Sequence, residues 1–309
     1  MKGVFLDCET LNQNDLDFSI LTSTLDHWDL WATTLPEQTV ARIAEASLVV
    51  TNKVRLTADI LQQAPKLRCI CICATGTDNV DLQSAKTHGI SVYNVKGYST
   101  ASVIQHTIGL LIMMASRLGD YSNLVHQGAW INAKQFCLQA FKTTELANKT
   151  LGIVGYGAIG SGVANVARQL GMQVMVAKRD RASDKYELED FLPHIDILSL
   201  HCPLTAQTKL LIGAKELSLM KKGSLLINVS RGGLVDEKAL SEALFAAHLA
   251  GAALDVVSQE PPSKESILFS NPPPHLIITP HVAWATKEAR QRLLNEVREN
   301  VLKFTRDAN

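Results

Sequence analysis

Three polar side chains in the C-terminal half of the chain, Arg231, Glu260 and His281, are of the types that move protons and hold anions. Each follows a short apolar run that reads as a strand. Arg231 lies in Asn228-Val229-Ser230-Arg231-Gly232-Gly233, Glu260 in Asp255-Val256-Val257-Ser258-Gln259-Glu260-Pro261-Pro262, and His281 in Thr279-Pro280-His281-Val282-Ala283. Open α/β sheets bind ligands beyond the carboxyl ends of their strands, so these are positions where chemistry is expected. Taken singly, each has a bland explanation: a surface cation, a loop carboxylate, a satisfied core histidine. Taken together beside a nucleotide site, they suit reduction of a 2-oxo acid. That reaction needs a hydride donor, a proton donor and an anchor for the substrate carboxylate. A nicotinamide gives the hydride. His281 would protonate the carbonyl oxygen as it becomes an alkoxide. Glu260 beside the imidazole would favour its charged form near neutral pH. Arg231 would hold the carboxylate and polarise the carbonyl.

The nucleotide site is read from Gly155-Tyr156-Gly157-Ala158-Ile159-Gly160, a GxGxxG. The pattern alone is cheap, but here it follows a strand-like run, Thr150–Val154, and opens an amphipathic stretch. Gly155 permits the tight turn, Gly157 lets the backbone approach a pyrophosphate, and Gly160 lets helix and strand pack closely. The helix start then offers free N–H groups and its positive dipole end to phosphate. An acidic residue about 20 residues on would hold an adenosine ribose 2′-hydroxyl. The segment instead reads Val176-Ala177-Lys178-Arg179-Asp180-Arg181, with Lys178 lying 18 residues past Gly160. Lys178 and Arg179 would attract a 2′-phosphate, so NADP(H) is favoured. NAD(H) remains open, with the cations solvated and Asp180 reaching the ribose.

These side chains need a scaffold of alternating strands and helices. Strands are expected at Val4–Leu6, Leu48–Thr51, Leu67–Cys73 and Ser91–Asn94. A second set is expected at Thr150–Val154, Gln173–Ala177, Asp196–Leu200, Ser224–Val229, Gly251–Val256 and Leu276–Thr279. Helical stretches such as Glu37–Ala46 intervene, which gives an α/β fold of two doubly wound parallel-sheet lobes. Ile159, Val163, Val166 and Leu170 form one expected helix face. The first crossing between lobes falls at Lys96–Thr100, and Ser99 or Thr100 suits the cap of the long helix that follows. The last helix, with Ala289, Leu293, Val297, Val301 and Phe304 on one face, has no strand after it and is expected to return to the first lobe.

The 309 residues suit about two domains. Apolar residues make up 46% and charged residues 19%, which excludes intrinsic disorder. Thirty basic residues cancel thirty acidic ones, so global charge favours neither nucleic acid nor an acidic membrane as partner. The longest apolar run, Ile108–Ala115, is far shorter than the roughly 20 residues of a membrane span and reads as a buried helix. The opening MKGVFLDCET lacks a secretory pattern. None of the six cysteines is in CxxC spacing; Cys69, Cys71 and Cys73 alternate along one strand face. They read as buried thiols of a cytoplasmic protein, with no metal site.

The chain resembles the D-isomer-specific 2-hydroxyacid dehydrogenase family over nearly its whole length. The motifs that carry the resemblance are Ala74-Thr75-Gly76-Thr77-Asp78-Asn79-Val80-Asp81, the GxGxxG turn, His201-Cys202-Pro203-Leu204-Thr205, the segment Asn228–Asp236, and the Glu260 and His281 motifs. The 29 residues from Arg231 to Glu260 and the 21 from Glu260 to His281 are similar to the family's Arg-Glu-His spacing. The resemblance implies two Rossmann-like lobes with a cleft between them. The NAD(P)-binding lobe, 99–284, would be inserted into a catalytic, substrate-binding lobe formed by 1–98 and 285–309. It also implies that Thr75 and Gly76 bind the substrate carboxylate with Arg231, and that Asn52 and Lys53 border the same pocket. Trp284 would form part of its wall or pack between lobes. Cofactor contacts carry over to Ala158 and Ile159 at the phosphates, to His201, Pro203, Thr208, Val229 and Ser230 along the dinucleotide, and to Asp255 at the nicotinamide carboxamide. The segment 117–149, with Trp130, Phe136 and Phe141, looks like a homodimer arm. Asn94–Thr100 and His281–Ala285 look most like the glycerate dehydrogenase or hydroxypyruvate reductase branch. The departure is Lys178, where NAD-using relatives carry an acidic residue.

Alternatives remain. Formate dehydrogenases share the fold but pair the histidine with glutamine. A phosphoglycerate-type enzyme would want more basic residues in the first lobe and a regulatory extension. A nucleotide-sensing corepressor on the same scaffold is a different class, and it would show partner-binding extensions that are not seen. A dehydrogenase for another 2-oxo acid would share every motif named above.

Overall fold

Runs of leucine, isoleucine, valine and cysteine with no polar alternation build the centres of two parallel sheets, as expected of strands covered on both faces. The computed structural model describes residues 1–11, 14–177 and 187–307. The chain divides into two compact units, Met1–Ser99 with Trp284–Asn309, and Thr100–Ala283.

In the first unit, β1 (Lys2–Phe5), β2 (His27–Leu30), β3 (Leu48–Thr51), β4 (Cys69–Ile72) and β5 (Ser91–Tyr93) pair in the order β2-β1-β3-β4-β5. β3 and β4 are buried at every position, in register from Leu48 opposite Cys69 to Thr51 opposite Ile72. Cys69, Cys71 and Cys73 share a face with Phe5, Leu48 and Val50. Contact with the Cys69 sulfur and burial hold the Cys71 thiol protonated, and burial alone does most of this for Cys73. The helix Lys287–Asp307 covers that face with Leu293, Leu294, Val297, Val301 and Phe304. Each such side chain removed from water contributes about 1.5–3 kcal/mol. Arg290, also buried on this helix, makes a two-pronged bond of 2.7 Å to each carboxylate oxygen of Asp15.

β2 was not expected from the sequence. It is an edge strand of mixed polarity, His-Trp-Asp-Leu, with no fully buried residue. Its Trp28 lies over Gly3, where a Cβ would come within 2.8 Å of the indole.

In the second unit, β6 (Thr150–Val154), β7 (Gln173–Val176), β8 (Ile197–Leu200), β9 (Ser224–Asn228), β10 (Leu249–Leu254) and β11 (Leu276–Ile278) pair in the order β11-β10-β9-β8-β6-β7. All pairings are parallel. The run Ile108–Ala115 lies inside the helix Thr100–Ser116, which buries Leu110, Leu111, Met114 and Ala115. The helix Ala158–Gln169 buries Gly160, Val163, Ala164 and Ala167, whereas Val166 is exposed. Close packing explains the shift from the expected branched stripe. A Cβ on Gly162 would sit 2.2 Å from Ile104, so the interface with the helix Thr100–Ser116 selects small residues. Among the described residues no single helix is long and apolar enough to cross a membrane.

Both sheets thus run 2-1-3-4-5 in their own strand numbering, with a sixth strand added in the second unit. The topological switch points fall between β1 and β3 and between β6 and β8.

Candidate active site

β9, β10 and β11 are sheet neighbours, so the three loops that follow them emerge side by side. Asn228, the last residue of β9, is fully buried. Its Nδ2 donates to the Arg231 carbonyl at 2.8 Å, and its Oδ1 accepts the Ser230 N–H at 3.1 Å, which fixes the loop that bears Arg231. A Cβ on Gly232 would lie 1.9 Å from the Val257 carbonyl carbon, so the Arg231 loop presses backbone to backbone on the loop after β10. In that second loop the Glu260 carboxylate faces two ways. Oε1 accepts the Val257 N–H at 3.1 Å, and Oε2 lies 2.5 Å from His281 Nδ1. The His281 side chain is about a quarter exposed and that of Glu260 about a third, so the pair is only partly screened by solvent. His281 sits in the left-handed region at φ +53°, which is uncommon for a residue with a Cβ.

The turn holding that conformation is tied to Asp255, which is 1% exposed. The His281 N–H donates to the Asp255 carbonyl at 2.8 Å, and the Val282 and Ala283 N–H groups donate to its carboxylate at 3.0 and 2.9 Å. Thr279 Oγ1 adds a bond of 2.5 Å to the same carboxylate.

The second unit's switch point has the shape a dinucleotide requires. Gly155 has φ +94°, and a Cβ there would lie 2.5 Å from the Cys202 nitrogen. A Cβ on Gly160 would lie 2.1 Å from the Gly155 oxygen. Gly157 is the contrary case, since a Cβ there meets nothing within 4 Å. Two glycines are therefore forced by internal packing, and the third borders open space. Gly157 caps the helix Ala158–Gln169 with no side-chain acceptor, so the first N–H groups, from Ala158 and Ile159 onward, are left to an outside anion. Around this turn, Ser230 Oγ donates to the Cys202 carbonyl at 2.6 Å and Thr208 Oγ1 to the Pro203 carbonyl at 2.7 Å. Val229, next to Ser230, is buried. His201 Nε2 pairs with Ser199 Oγ at 2.8 Å, while its buried Nδ1 has no partner among the described residues. Burial pushes the His201 imidazole down to about 4, so it is neutral near pH 7. An open backbone cradle and an orphaned buried nitrogen both fit a nicotinamide dinucleotide. Lys178, Arg179, Asp180 and Arg181 lie outside the described residues.

The remaining candidates belong to the first unit. Asn52 is buried, with its N–H on Asp7 Oδ1 at 2.9 Å and its side-chain amide on Thr10 Oγ1 at 3.1 Å. Lys53 is exposed, with its N–H on Asp7 Oδ2 at 2.6 Å. Thr75 Oγ1 donates to the Val95 carbonyl at 2.9 Å and Asn94 Nδ2 to the Thr75 carbonyl at 2.7 Å, which shapes the turn leading into Gly76. Trp284 packs edge-on against Tyr98 with ring centres 6.3 Å apart. No role was read in the sequence for Asp7, Thr279 or His106. Nothing in their local context marks them, because their partners lie 24 to 173 residues away.

Residues 108–283 match the family model described as "D-isomer specific 2-hydroxyacid dehydrogenase, NAD binding domain". The chain is 42% identical to the glycerate dehydrogenase of Methylorubrum extorquens, covering 98% of this chain and 96% of that one. It is 36% identical to the hydroxypyruvate reductase of Blautia hydrogenotrophica, covering 98% and 97%. Among solved structures, the D-lactate dehydrogenase of Aquifex aeolicus, complexed with NAD and lactic acid, superposes with a TM-score of 0.85 at 28% identity, covering 99% and 96%. A cradle for a dinucleotide and a paired imidazole and carboxylate on one sheet edge accord with these likenesses: the chain belongs to the D-isomer specific 2-hydroxyacid dehydrogenases and is an oxidoreductase of that family.

Proposed function

We propose that the protein reduces small 2-oxo acids, hydroxypyruvate and glyoxylate foremost, to the corresponding D-2-hydroxy acids. The observation that carries this reading is the 2.5 Å contact of His281 Nδ1 with Glu260 Oε2 beside the Arg231 loop. The likeness to a glycerate dehydrogenase and a hydroxypyruvate reductase supports the substrate class.

The nicotinamide dinucleotide, when bound, supplies the hydride. Gly155, Gly157 and Gly160 with the Ala158 and Ile159 N–H groups would hold its phosphates. His201, Pro203, Thr208, Val229 and Ser230 would line its length, and Asp255 would meet the carboxamide. Because Nδ1 is turned to a carboxylate it carries a proton, so His281 gives up a proton to the substrate from Nε2. Glu260 stabilises the positive charge the imidazole holds before transfer and keeps the ring in one orientation. Arg231 would anchor the substrate carboxylate. Lys178 and Arg179 favour NADPH over NADH, a preference read from the ratio of kcat/KM with the two cofactors.

A homodimer and a cytoplasmic location complete the reading. The segment after the helix Leu118–His126 exposes Trp130, Ile131 and Phe136, the last two to about nine-tenths. Large exposed apolar side chains in one segment favour an interface. All six cysteines are free thiols, as in a reducing compartment.

The test is a panel of 2-oxo acids assayed with both reduced cofactors, for wild type and His281→Ala. Loss of a positioned general acid lowers kcat by about 10²–10⁴-fold. The expected result is that loss with unchanged dinucleotide affinity. Wild-type turnover in the variant removes His281 from the reaction, and no turnover of any 2-oxo acid by the wild type removes the substrate class.

A further inference from the structure

His281 is held in its left-handed turn from behind by a helix that no part of the reaction uses. Ser102 and His106 are four residues apart on the helix Thr100–Ser116, so they share one face. Ser102, buried, donates from Oγ to the Ala283 carbonyl at 2.5 Å. His106 Nε2 lies 3.0 Å from Thr279 Oγ1 and 3.4 Å from Asp255 Oδ1. The helix thus grips both ends of the short turn 279–283, with His281 at its centre.

The hydrogens can be assigned. The Thr279 hydroxyl has one proton, and its 2.5 Å contact with the Asp255 carboxylate takes it. His106 Nε2 must then be a donor to Thr279 Oγ1. The chain runs from the His106 Nε2–H to the Thr279 hydroxyl to the Asp255 carboxylate, which in turn accepts the Val282 and Ala283 N–H groups. Asp255 is the charged group facing His106. The helix Thr100–Ser116 bears no other ionisable side chain, and β9 and β10, packed against it, bear none. The guanidinium of Arg168 on the helix Ala158–Gln169 bonds Asn165, and Asp120 on the helix Leu118–His126 pairs with Arg117.

We infer that Thr279, His106 and Ser102 are positioning residues that lock Asp255 in one orientation and so hold the His281 imidazole against Glu260. The inference rests on the proposed role of His281. Without the Thr279 hydroxyl, Asp255 loses a donor, the N–H of His106 loses its nearer acceptor, and the strained turn relaxes. A displacement of about 1 Å at a reacting group can cost ~10²-fold in rate.

The experiment compares Thr279→Val with Thr279→Ser, and His106→Leu with His106→Gln, alongside His281→Ala. The measurements are kcat for hydroxypyruvate reduction against pH, Kd for NADPH and NADH by fluorescence, and Tm. Thr279→Val is expected to lower kcat by about ten-fold or more. The alkaline limb of its pH profile should move to lower pH, because an imidazole no longer held against Glu260 has its charged form stabilised less. Thr279→Ser is expected to restore both. His106→Leu should reproduce the pattern in weaker form, with partial rescue by His106→Gln. Wild-type kcat and profile in Thr279→Val and His106→Leu overturn the inference. So does a fall in kcat and Tm together with an unmoved profile, which is the mark of a merely structural role. If Thr279→Val does not fold, the His106 pair decides the matter on the same readouts. Full turnover in His281→Ala overturns the functional reading itself, whereas loss in His281→Ala beside intact Thr279 and His106 variants overturns the positioning alone.

Discussion

Two residues beyond β1 the chain places Asp7, and one residue beyond β6, in a sheet whose first five strands run in the same order, it places Gly155. The Asp7 carboxylate is buried and accepts the N–H groups of Asn52, Lys53 and Val54 at 2.9, 2.6 and 3.3 Å. The backbone donors that gather at a switch point are thus satisfied by the protein itself. Among the described residues no long helix starts there either, since β1 leads into the short turn Cys8–Thr10. In the second unit Gly155 offers no side chain, and the helix Ala158–Gln169 begins three residues on with uncapped N–H groups. One topology therefore yields a self-filled crevice in one unit and an anion cradle in the other. The difference lies in which residue follows the first strand and whether a long helix starts beside it.

The two crevices are told apart most directly at Gly157. A Cβ there meets open space, so Gly157→Asp should fold and should bring a carboxylate to the cradle, as Asp7 does in the other unit. Juxtaposed like charges cost several kcal/mol, so dinucleotide Kd is expected to rise by ~100-fold or more. A wild-type Kd by fluorescence titration would mean that the two crevices do not differ in the way described.

The converse change, Asp7→Asn, sets an amide N–H₂ against backbone donors that both carboxylate oxygens now accept. Loss of about 1–3 kcal/mol is expected, read from urea unfolding. No second dinucleotide site should appear, because among the described residues β1 does not lead directly into a long helix. A second dinucleotide equivalent by titration would refute the requirement for the helix.

Glu260 extends the contrast to carboxylates spent on structure and on chemistry. Glu260→Gln removes the charge beside His281 but not the bulk. The alkaline limb of the reduction profile should move toward lower pH with Tm nearly unchanged. An unmoved profile would assign Glu260 the kind of structural duty that Asp7 has.

The smallest effect concerns stability against pH. His201 titrates near 4 when folded and near 6.5 when unfolded, so the unfolded chain binds the extra proton between those values. Its contribution is complete above about 6.5 and declines on acidification toward 4, by up to ~1.4 kcal/mol per pH unit. Asp7 works with the opposite sign. Burial raises its carboxyl from the ordinary 3.8, so its contribution is complete below that value and is lost as pH rises through the folded one. His201→Asn should therefore lose less stability than wild type between pH 7 and pH 5. Equal losses by denaturant titration would exclude His201 as the titrating group.

Much of this architecture was legible in the residues. The central strands were readable because burial on both faces leaves unbroken apolar runs such as Leu48-Val49-Val50 and Leu225-Leu226-Ile227. β2 was not, because an edge strand of mixed polarity leaves no such run. The helix Ala158–Gln169 was readable by period, but its buried face was not, since Gly162 against Ile104 selects small residues over the branched stripe.

For the site, residue type and position were enough to single out the glycine turn and the trio Arg231, Glu260 and His281, because each follows a strand where ligands bind. Chain order says nothing of which polar groups meet across long intervals. The bond of His106 to Thr279 spans 173 residues, that of Ser102 to Ala283 spans 181, and the Asp7 nest spans 45 to 47. Periodicity and strand-end position are local properties written into neighbouring residues. The pairing of a buried donor with a distant acceptor is decided only when packing removes water from both, and that took the tertiary structure.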